Sequence, residues 1–234
     1  MYLGSASGIE PATVVVLTSP NPREYGQFGN KLAPGGDLDA DGFGDLLVGA
    51  GLELPCRGYL YGGGPGGVSA APLLNIESPL SGVCDGSFAY GETGVGDVNG
   101  DGYPDFLVSG RSYDSTLFHE QGAAWLYLGG PVLVGTPDLL VEHPSPSSEG
   151  HFGRVVAGIG DADRDGLADF LVGAPGQSSA VIFWGSVTDL VTASPLVLSG
   201  SFDFSHSVAS PGDLNGDGYP DIVVSNYNPS ADGT

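Results

Sequence analysis

The sequence has 234 residues, of which 41% are hydrophobic, so it can form the core of one large domain or of two small ones. Its 28 acidic and 6 basic residues give a net charge of −22, which excludes nucleic acid and anionic membrane surfaces as partners because like charges repel. No apolar run approaches the roughly 18 residues that a membrane span requires, so direct membrane insertion is excluded as well.

The N-terminal segment predicts two strands and no signal peptide. Residues 2–5 match the end of an aromatic-rich strand that recurs later in the chain, and the β-branched run 14–17 predicts a further strand. The first residues lack the basic stretch and the apolar core of a signal peptide, which leads us to expect a fragment of a longer protein.

Four acidic segments with the pattern Asp-x-Asp/Asn-x-Asp-Gly-x-x-Asp recur at intervals of 60, 64 and 52 residues. Self-similarity at such a period indicates tandem structural repeats. An aromatic residue, in most copies next to Gly, precedes each segment, and a short apolar run follows it. The acidic segments are residues 37–45, 97–105, 161–169 and 213–221.

Each repeat predicts four short strands, because its apolar runs have four to six residues and are bounded by Gly, Pro, Ser and Asp. The 41 Gly and 18 Pro, about a quarter of the chain, fit many tight turns. We therefore predict an all-β fold, a β-propeller of four-stranded antiparallel blades with four blades encoded. The runs after the acidic segments are 46–50, 106–110, 170–175 and 222–225, the aromatic runs are 58–62, 124–129 and 181–185, and the last runs are 73–76, 139–141 and 196–198.

The repeat boundaries predict one domain over residues 1–234 with a split blade. The repeats span approximately 19–80, 81–143 and 144–199, and the fourth, 200–234, is completed by residues 1–18. A blade that joins both termini prevents a ring from opening and leaves no free strand edge. Three arrangements fit this pattern: a four-bladed ring within one chain, a homodimer that forms an eight-bladed ring, or an excised part of a longer chain.

The acidic segments predict up to four Ca²⁺ sites, because calcium binds six to eight hard oxygen ligands and a tight loop turns alternate side chains inward. The Gly at position 6 is expected in a left-handed conformation that turns the chain around the ion. Carboxylate or amide oxygens at positions 1, 3, 5 and 9 and the carbonyl at position 7 are the candidate ligands. They are Asp37, Asp39, Asp41, Phe43, Asp45, Asp97, Asn99, Asp101, Tyr103, Asp105, Asp161, Asp163, Asp165, Leu167, Asp169, Asp213, Asn215, Asp217, Tyr219 and Asp221.

Other interpretations of these loops fit less well. An EF-hand needs a bidentate Glu at position 12, where all four copies have Val. Magnesium prefers few protein ligands, and zinc prefers His and Cys, which the loops lack. A single copy could be an Asp-Gly turn without a metal, but the loops hold 14 of the 28 acidic residues, which would repel one another without a cation.

Two further features leave alternatives open. Cys56 and Cys84 allow one disulfide, or they are two buried free thiols. Aromatic side chains alternate along the predicted third strands, either to pack blade against blade or to form a platform that stacks on sugars. No catalytic motif is present, and the scattered His residues form no metal site. The aromatic residues are Tyr59, Tyr61, Trp125, Tyr127 and Trp184.

The sequence resembles the FG-GAP repeats that build the β-propeller of integrin α subunits and occur in bacterial surface proteins. The third repeat matches most fully, with Phe152-Gly153, the loop 161–169 and Gly173-Ala174-Pro175. The second and fourth repeats depart from the pattern at its last element, where they read Ser109-Gly110 and Ser225-Asn226. Integrin propellers have seven blades, whereas this chain encodes four.

The resemblance implies a calcium-binding, non-enzymatic module for extracellular adhesion, scaffolding or protein–protein interaction, in which Ca²⁺ rigidifies the strand–loop–strand hairpins. It implies calcium loops on one face, a protein or glycan ligand on the opposite face, and a place outside the cell or on its surface. The alternative is a carbohydrate-binding propeller or the accessory domain of a secreted hydrolase.

Overall fold

Short antiparallel strands dominate the structure, a computed structural model that describes residues 2–6, 8–79, 88–191 and 194–227. A 3₁₀ helix, Pro175–Gln177, is the one helical element within these residues. The strands are β1 (Tyr2–Ser5), β2 (Gly8–Val14), β3 (Leu32–Gly36), β4 (Asp45–Ala50), β5 (Arg57–Tyr61), β6 (Leu74–Glu77), β7 (Phe88–Gly96), β8 (Asp105–Gly110), β9 (Ala123–Tyr127), β10 (Leu139–Val141), β11 (Val155–Gly160), β12 (Asp169–Ala174), β13 (Ser179–Phe183), β14 (Gly185–Ser186), β15 (Leu190–Val191), β16 (Leu196–Ser199), β17 (Phe204–Gly212) and β18 (Asp221–Asn226).

Three four-stranded antiparallel sheets confirm the predicted blades. Their strand orders are β3-β4-β5-β6, β7-β8-β9-β10 and β11-β12-β13-β16, so each of these repeats folds as one blade in sequence order. The third repeat adds the small hairpin β14–β15, which the sequence analysis did not predict. Since adjacent strands in each blade pair through hairpin connections, the fold is consistent with a β-propeller.

The fourth repeat contributes two strands. β17 pairs with β18, and β1 pairs with β2, in separate two-stranded sheets. Within the described residues these two sheets are not joined, so the split blade that links both termini stays a prediction. The predicted strand over 14–17 was wrong in its position, because the second N-terminal strand pairs with β1 and ends at Val14.

Leu17 belongs instead to the packing of the first blade. It packs against the buried side chains of Val48 and Tyr59 in that blade. Nearby, the Asn21 side-chain amide donates a hydrogen bond to the Tyr59 hydroxyl at 3.3 Å. The segment after β2 therefore runs along the first blade, which explains why it forms no strand of its own.

The core consists of layers between successive blades, because each blade is apolar on both faces. Leu47 and Leu60 of the first blade pack against Phe106 of the second. Leu126 of the second blade packs in the same way with Phe170 of the third. A further layer joins the third blade to β17 and β18. Burial on two faces accounts for the nearly continuous apolar runs of the second and third strands.

The innermost strands of the four repeats lie side by side around a common axis. β7 contacts β3 on one side and β11 on the other, and β11 also contacts β17. Each acidic loop leaves the end of an innermost strand and enters the second strand of the same repeat. The topology therefore gathers all four loops at one end of the array.

Candidate metal-binding loops

The four acidic loops share one hydrogen-bonding scheme. In each, the amide of the position 6 Gly donates to Oδ2 of the position 1 Asp, at distances of 2.7–3.0 Å. The position 5 amide donates to Oδ1 of position 3, and the position 7 amide donates to Oδ1 of position 5. These bonds curl the backbone of each loop in the same way.

Two positions of every loop have a left-handed backbone. The position 6 glycines have φ between 89° and 93°, which confirms their predicted conformation; they are Gly42, Gly102, Gly166 and Gly218. Position 4 is left-handed too, although two copies have a side chain there: Ala40 with φ 58° and Arg164 with φ 65°. The left-handed conformation at position 4 was not predicted, because Ala and Arg carry no signal for it.

The position 9 Asp ties each of the first three loops to the rest of its blade. In the second loop, Oδ2 of Asp105 accepts the amide of Val98 at 2.8 Å and Oδ1 accepts the amide of Gly129 at 2.9 Å. Gly129 lies two residues beyond β9, and Gly63 and Gly185 make the same bond in the first and third blades. Each oxygen keeps a free lone pair, so this Asp can also act as a ligand.

Burial perturbs these closing carboxyl groups. It raises the pKa of Asp105 to about 7, and the nearby Asp101 and Asp97 raise it further, while the two amide bonds oppose the shift. Burial likewise raises the pKa of Asp45 and Asp169. A cation beside such groups would favour their ionised forms and offset both the burial and the mutual repulsion.

The donor set of the first and third loops fits a hard cation such as Ca²⁺. Oδ1 of Asp37 and Oδ1 of Asp161 are buried and have no hydrogen-bond partner within the described residues. Ligand atoms of Asp37, Asp39 and Asp41 lie within 4.8 Å of one another, as do those of Asp161, Asp163 and Asp169. A nearby positive charge would compensate such buried carboxylate oxygens, and oxygen-only ligands are those that calcium prefers.

The second and fourth loops replace the position 3 Asp by Asn. Asn99 donates its amide to Oδ2 of Asp101 at 3.0 Å, and Asn215 donates to Oδ2 of Asp217 at 2.9 Å. The amide carbonyl still accepts the position 5 amide, so the curl of the loop is unchanged. These loops therefore have one negative charge and one side-chain oxygen fewer, but they keep an oxygen at position 3.

Neighbouring loops also contact one another. The amide of Ala168 in the third loop donates to the carbonyl of Asp97 in the second at 2.8 Å. Arg164 of the third loop reaches the fourth, where it donates to the carbonyls of Asp217 and Gly218 at 3.1 and 3.2 Å. Sequence reasoning missed Arg164, because the pattern places no ligand at position 4.

The departures from the Phe-Gly and Gly-Ala-Pro elements have a structural reason. Where the second repeat has Ser109 in place of Gly, the hydroxyl donates to the carbonyl of Gly153 at 2.6 Å in the next blade. Ser225 accepts the amide of Ser207 at 2.9 Å, and the hydroxyl of Ser205 donates to the carbonyl of Ser179 at 2.6 Å. Each serine hydroxyl therefore makes a hydrogen bond between strands or blades that a glycine at the same position could not make.

The other candidate residues have these positions. Cys56 is buried and disulfide-bonded, whereas Cys84 lies outside the described residues, so the pairing of the two stays a prediction. The aromatic residues of the third strands belong to the core: Tyr59, Tyr61 and Tyr127 are fully buried and Trp125 is 3% exposed. Rings at this depth cannot stack on a sugar. Four of the five aromatic residues considered for a sugar-stacking platform are therefore excluded from that role.

The sequence is similar to FG-GAP repeat families and to integrin α subunits. A model described as FG-GAP-like repeat matches residues 161–224, and one described as FG-GAP repeat matches residues 90–127. Human integrin αIIb is 34% identical over 148 residues, which are 57% of this chain and 14% of that protein. Human integrin α7 is 32% identical over 171 residues, covering 66% of this chain and 14% of the relative.

These matches identify an integrin-like repeat protein of the β-propeller type. Residues 90–127 and 161–224 carry the FG-GAP repeat pattern, and 57–66% of the chain is similar to human integrin α subunits. It spans about a seventh of the length of the curated integrins that it matches. Among the described residues, no helix has the length and apolar character needed to cross a bilayer.

Proposed function

We propose that this chain is a calcium-binding, integrin-like β-propeller module that acts outside the cell in adhesion, scaffolding or protein–protein interaction. The family supports the interaction role, since integrin-like FG-GAP repeats are adhesion-type and non-enzymatic. The observation that supports calcium is the pair of buried Asp oxygens without hydrogen-bond donors, Asp37 Oδ1 and Asp161 Oδ1, inside acidic clusters.

We propose the same ligand positions in all four loops, because the four hydrogen-bonding schemes coincide. The side chains at positions 1, 3, 5 and 9 and the carbonyl at position 7 would hold the ion. A bound Ca²⁺ would supply positive charge and cross-links between the two strands of each hairpin. The residues themselves pre-form the loop, since the position 9 Asp fixes its exit and the position 6 Gly fixes its turn.

Stability is the expected role of the metal in this module. At a calcium concentration a hundredfold above Kd, each site would stabilise the folded state by roughly 2.7 kcal/mol. Four such sites are comparable to the whole net stability of an ordinary domain, about 5–15 kcal/mol. The rigid array would then present the opposite face, formed by the other ends of the strands, to a protein ligand.

Calorimetric titration of the chelator-treated protein with CaCl₂, together with melting curves in calcium and in chelator, tests this proposal. We expect up to four calcium ions per chain and a melting temperature that rises by well over 10 °C in calcium, since about 1 kcal/mol shifts the midpoint of a chain this size by roughly 2–4 °C. MgCl₂ at the same concentration serves as the matched control. A melting temperature indifferent to chelator would overturn the calcium role.

A further inference from the structure

Half of the few basic residues gather at the end of the blades opposite the acidic loops. The sequence has 6 Lys and Arg, and three of them are Lys31, Arg111 and Arg154. Lys31 and Arg154 directly precede the innermost strands β3 and β11, and Arg111 directly follows β8. In a chain with a net charge of −22, this local excess of positive charge stands apart from the rest of the surface.

The basic residues surround an aromatic ring. The Lys31 ammonium lies 5.2 Å from the centre of the Tyr90 ring, and the Arg111 guanidinium lies 4.5 Å from it. Arg154 donates a hydrogen bond to Nε2 of His206 at 2.8 Å. Cation–π contacts hold the two cations in place without neutralising their charge, so both remain able to attract an anion.

A cavity of about 150 Å³ lies among these residues on the axis of the array. Lys31, Tyr90 and Arg154 line it, together with Glu92 of β7 and Val208 of β17. All four repeats therefore contribute to its wall through their innermost strands. The volume suits a single carboxylate-bearing side chain better than a folded segment.

Glu92 is the acidic member of this wall, and it is 8% exposed. Both of its carboxyl oxygens are buried without a hydrogen-bond partner in the part of the chain that the structure describes. Burial raises its pKa well above the ordinary value, although nearby Lys31 opposes the shift. Its Oε1 lies against Gly49 of β4 and Gly58 of β5 in the first blade, so the charges that an anion in the cavity would meet are those of Lys31 and Arg154.

We propose that this axial cavity binds a carboxylate group, supplied by a Glu or Asp side chain of a protein that docks on the face opposite the acidic loops. Lys31 and Arg154 provide the charged donors, and Tyr90 provides a flat wall for the aliphatic part of the side chain. The inference extends the proposed function, because it names the chemistry that the interaction face recognises.

The test uses the whole chain in calcium and a blocked residue as probe, N-acetyl-glutamate N-methylamide, with the glutamine analogue as the uncharged control. Binding is followed by calorimetry and by the amide resonances of residues 90–92. We expect saturable binding of the carboxylate probe, at least tenfold tighter than that of the glutamine analogue. Equal affinity of the two probes, or no binding of either, would overturn the proposal.

Variants locate the binding site. Lys31→Gln and Arg154→Gln are each expected to weaken probe binding about tenfold, the loss typical of one charged hydrogen bond. Arg23→Gln is the matched control, because Arg23 is exposed and donates to the carbonyl of Leu52 outside the cavity. Lys31 is also exposed, so its variant is expected to fold even if the Arg154 variant does not.

Two further outcomes separate the possible explanations. Free acetate that displaces the probe at equal concentration would show that a small carboxylate suffices, and it would overturn the assignment to a protein side chain. Absence of probe binding in a protein whose melting temperature still responds to calcium would overturn the cavity alone and leave the calcium role intact.

Discussion

The guanidinium carbon of Arg164, in the third acidic loop, lies 3.6 Å from the centre of the Tyr219 ring in the fourth loop. The same side chain donates to the carbonyls of Asp217 and Gly218, so it contacts three successive residues of the neighbouring loop. Because Asp217 and Tyr219 are proposed calcium ligands, the shape of the fourth loop depends on a residue of the third.

Replacing Arg164 by Ala is therefore expected to weaken calcium binding in the fourth loop. A cation–π contact at an exposed site contributes about 0.5–1 kcal/mol, which predicts a loss of affinity of a few-fold. Calcium titrations followed through the amide resonance of Gly218 measure it, and that of Gly102 in the second loop is the internal control. Arg164→Lys keeps a charge above the ring but loses the two directed hydrogen bonds, so an intermediate effect is expected. A titration of the Ala variant that matches the parent protein would contradict this coupling.

Ala variants of two third-loop carboxylates are expected to differ in how their loss of stability depends on calcium. Asp165→Ala should lower the melting temperature in calcium but hardly in chelator, because this side chain accepts one local amide, that of Leu167. Asp169→Ala should lower it in both, because the buried amides of Ala162 and Gly185 lose their acceptor, at about 1–3 kcal/mol.

Asp165→Asn is the matched control for this pair, since it keeps the acceptor for the Leu167 amide and removes only the negative charge. Melting curves in millimolar calcium and in excess chelator measure all three variants. If Asp165→Ala melts like the parent protein in calcium, the third loop is a turn rather than a metal site.

Glu92→Gln is expected to stabilise the protein at alkaline pH. Burial raises the pKa of Glu92 in the folded state, so the folded protein holds this proton more tightly than the unfolded chain does. The stability linked to this group is therefore complete below the unfolded pKa, near 4.3, and is lost as the pH rises toward the higher folded pKa. The side-chain amide of the Gln variant cannot ionise, so the variant does not lose this stability as the pH rises.

The difference in melting temperature between Glu92→Gln and the parent protein, measured in calcium between pH 5 and pH 9, isolates this effect from the loop carboxylates. The difference should grow in favour of the variant as the pH rises. Parallel curves for the two proteins would show that Glu92 does not change its ionisation in this range.

A single chain is expected to close the ring. Leu32 of β3 and Val208 of β17 line the same axial cavity, so the innermost strands of the first and fourth repeats approach each other. In an eight-bladed ring built from two chains, these strands would stand about half a ring apart. Light scattering in millimolar calcium should therefore give a mass near 23.6 kDa. Twice that mass would favour the homodimer.

The sequence by itself determined the repeat, the strands and the loops. The spacing of the Asp residues fixes the curl of each loop through local hydrogen bonds, and the apolar runs fix strands that are buried on both faces. Such features depend on residues close in the chain, so the pattern Asp37 to Asp45 was sufficient to predict a strand–loop–strand hairpin. The approximate bounds of the second, third and fourth strands in the first three repeats followed from the same local patterns.

Contacts between repeats were decided only by the tertiary structure. Nothing in the sequence near Arg164 indicates that it would reach Tyr219, 55 residues away, and nothing near Lys31 indicates Tyr90 or Arg154. Asp105 also accepts a hydrogen bond from the Gly129 amide, and no local sequence pattern indicates this contact. Long-range neighbours depend on how blades stack around the axis, and that geometry results from the packing of whole sheets rather than from any local motif.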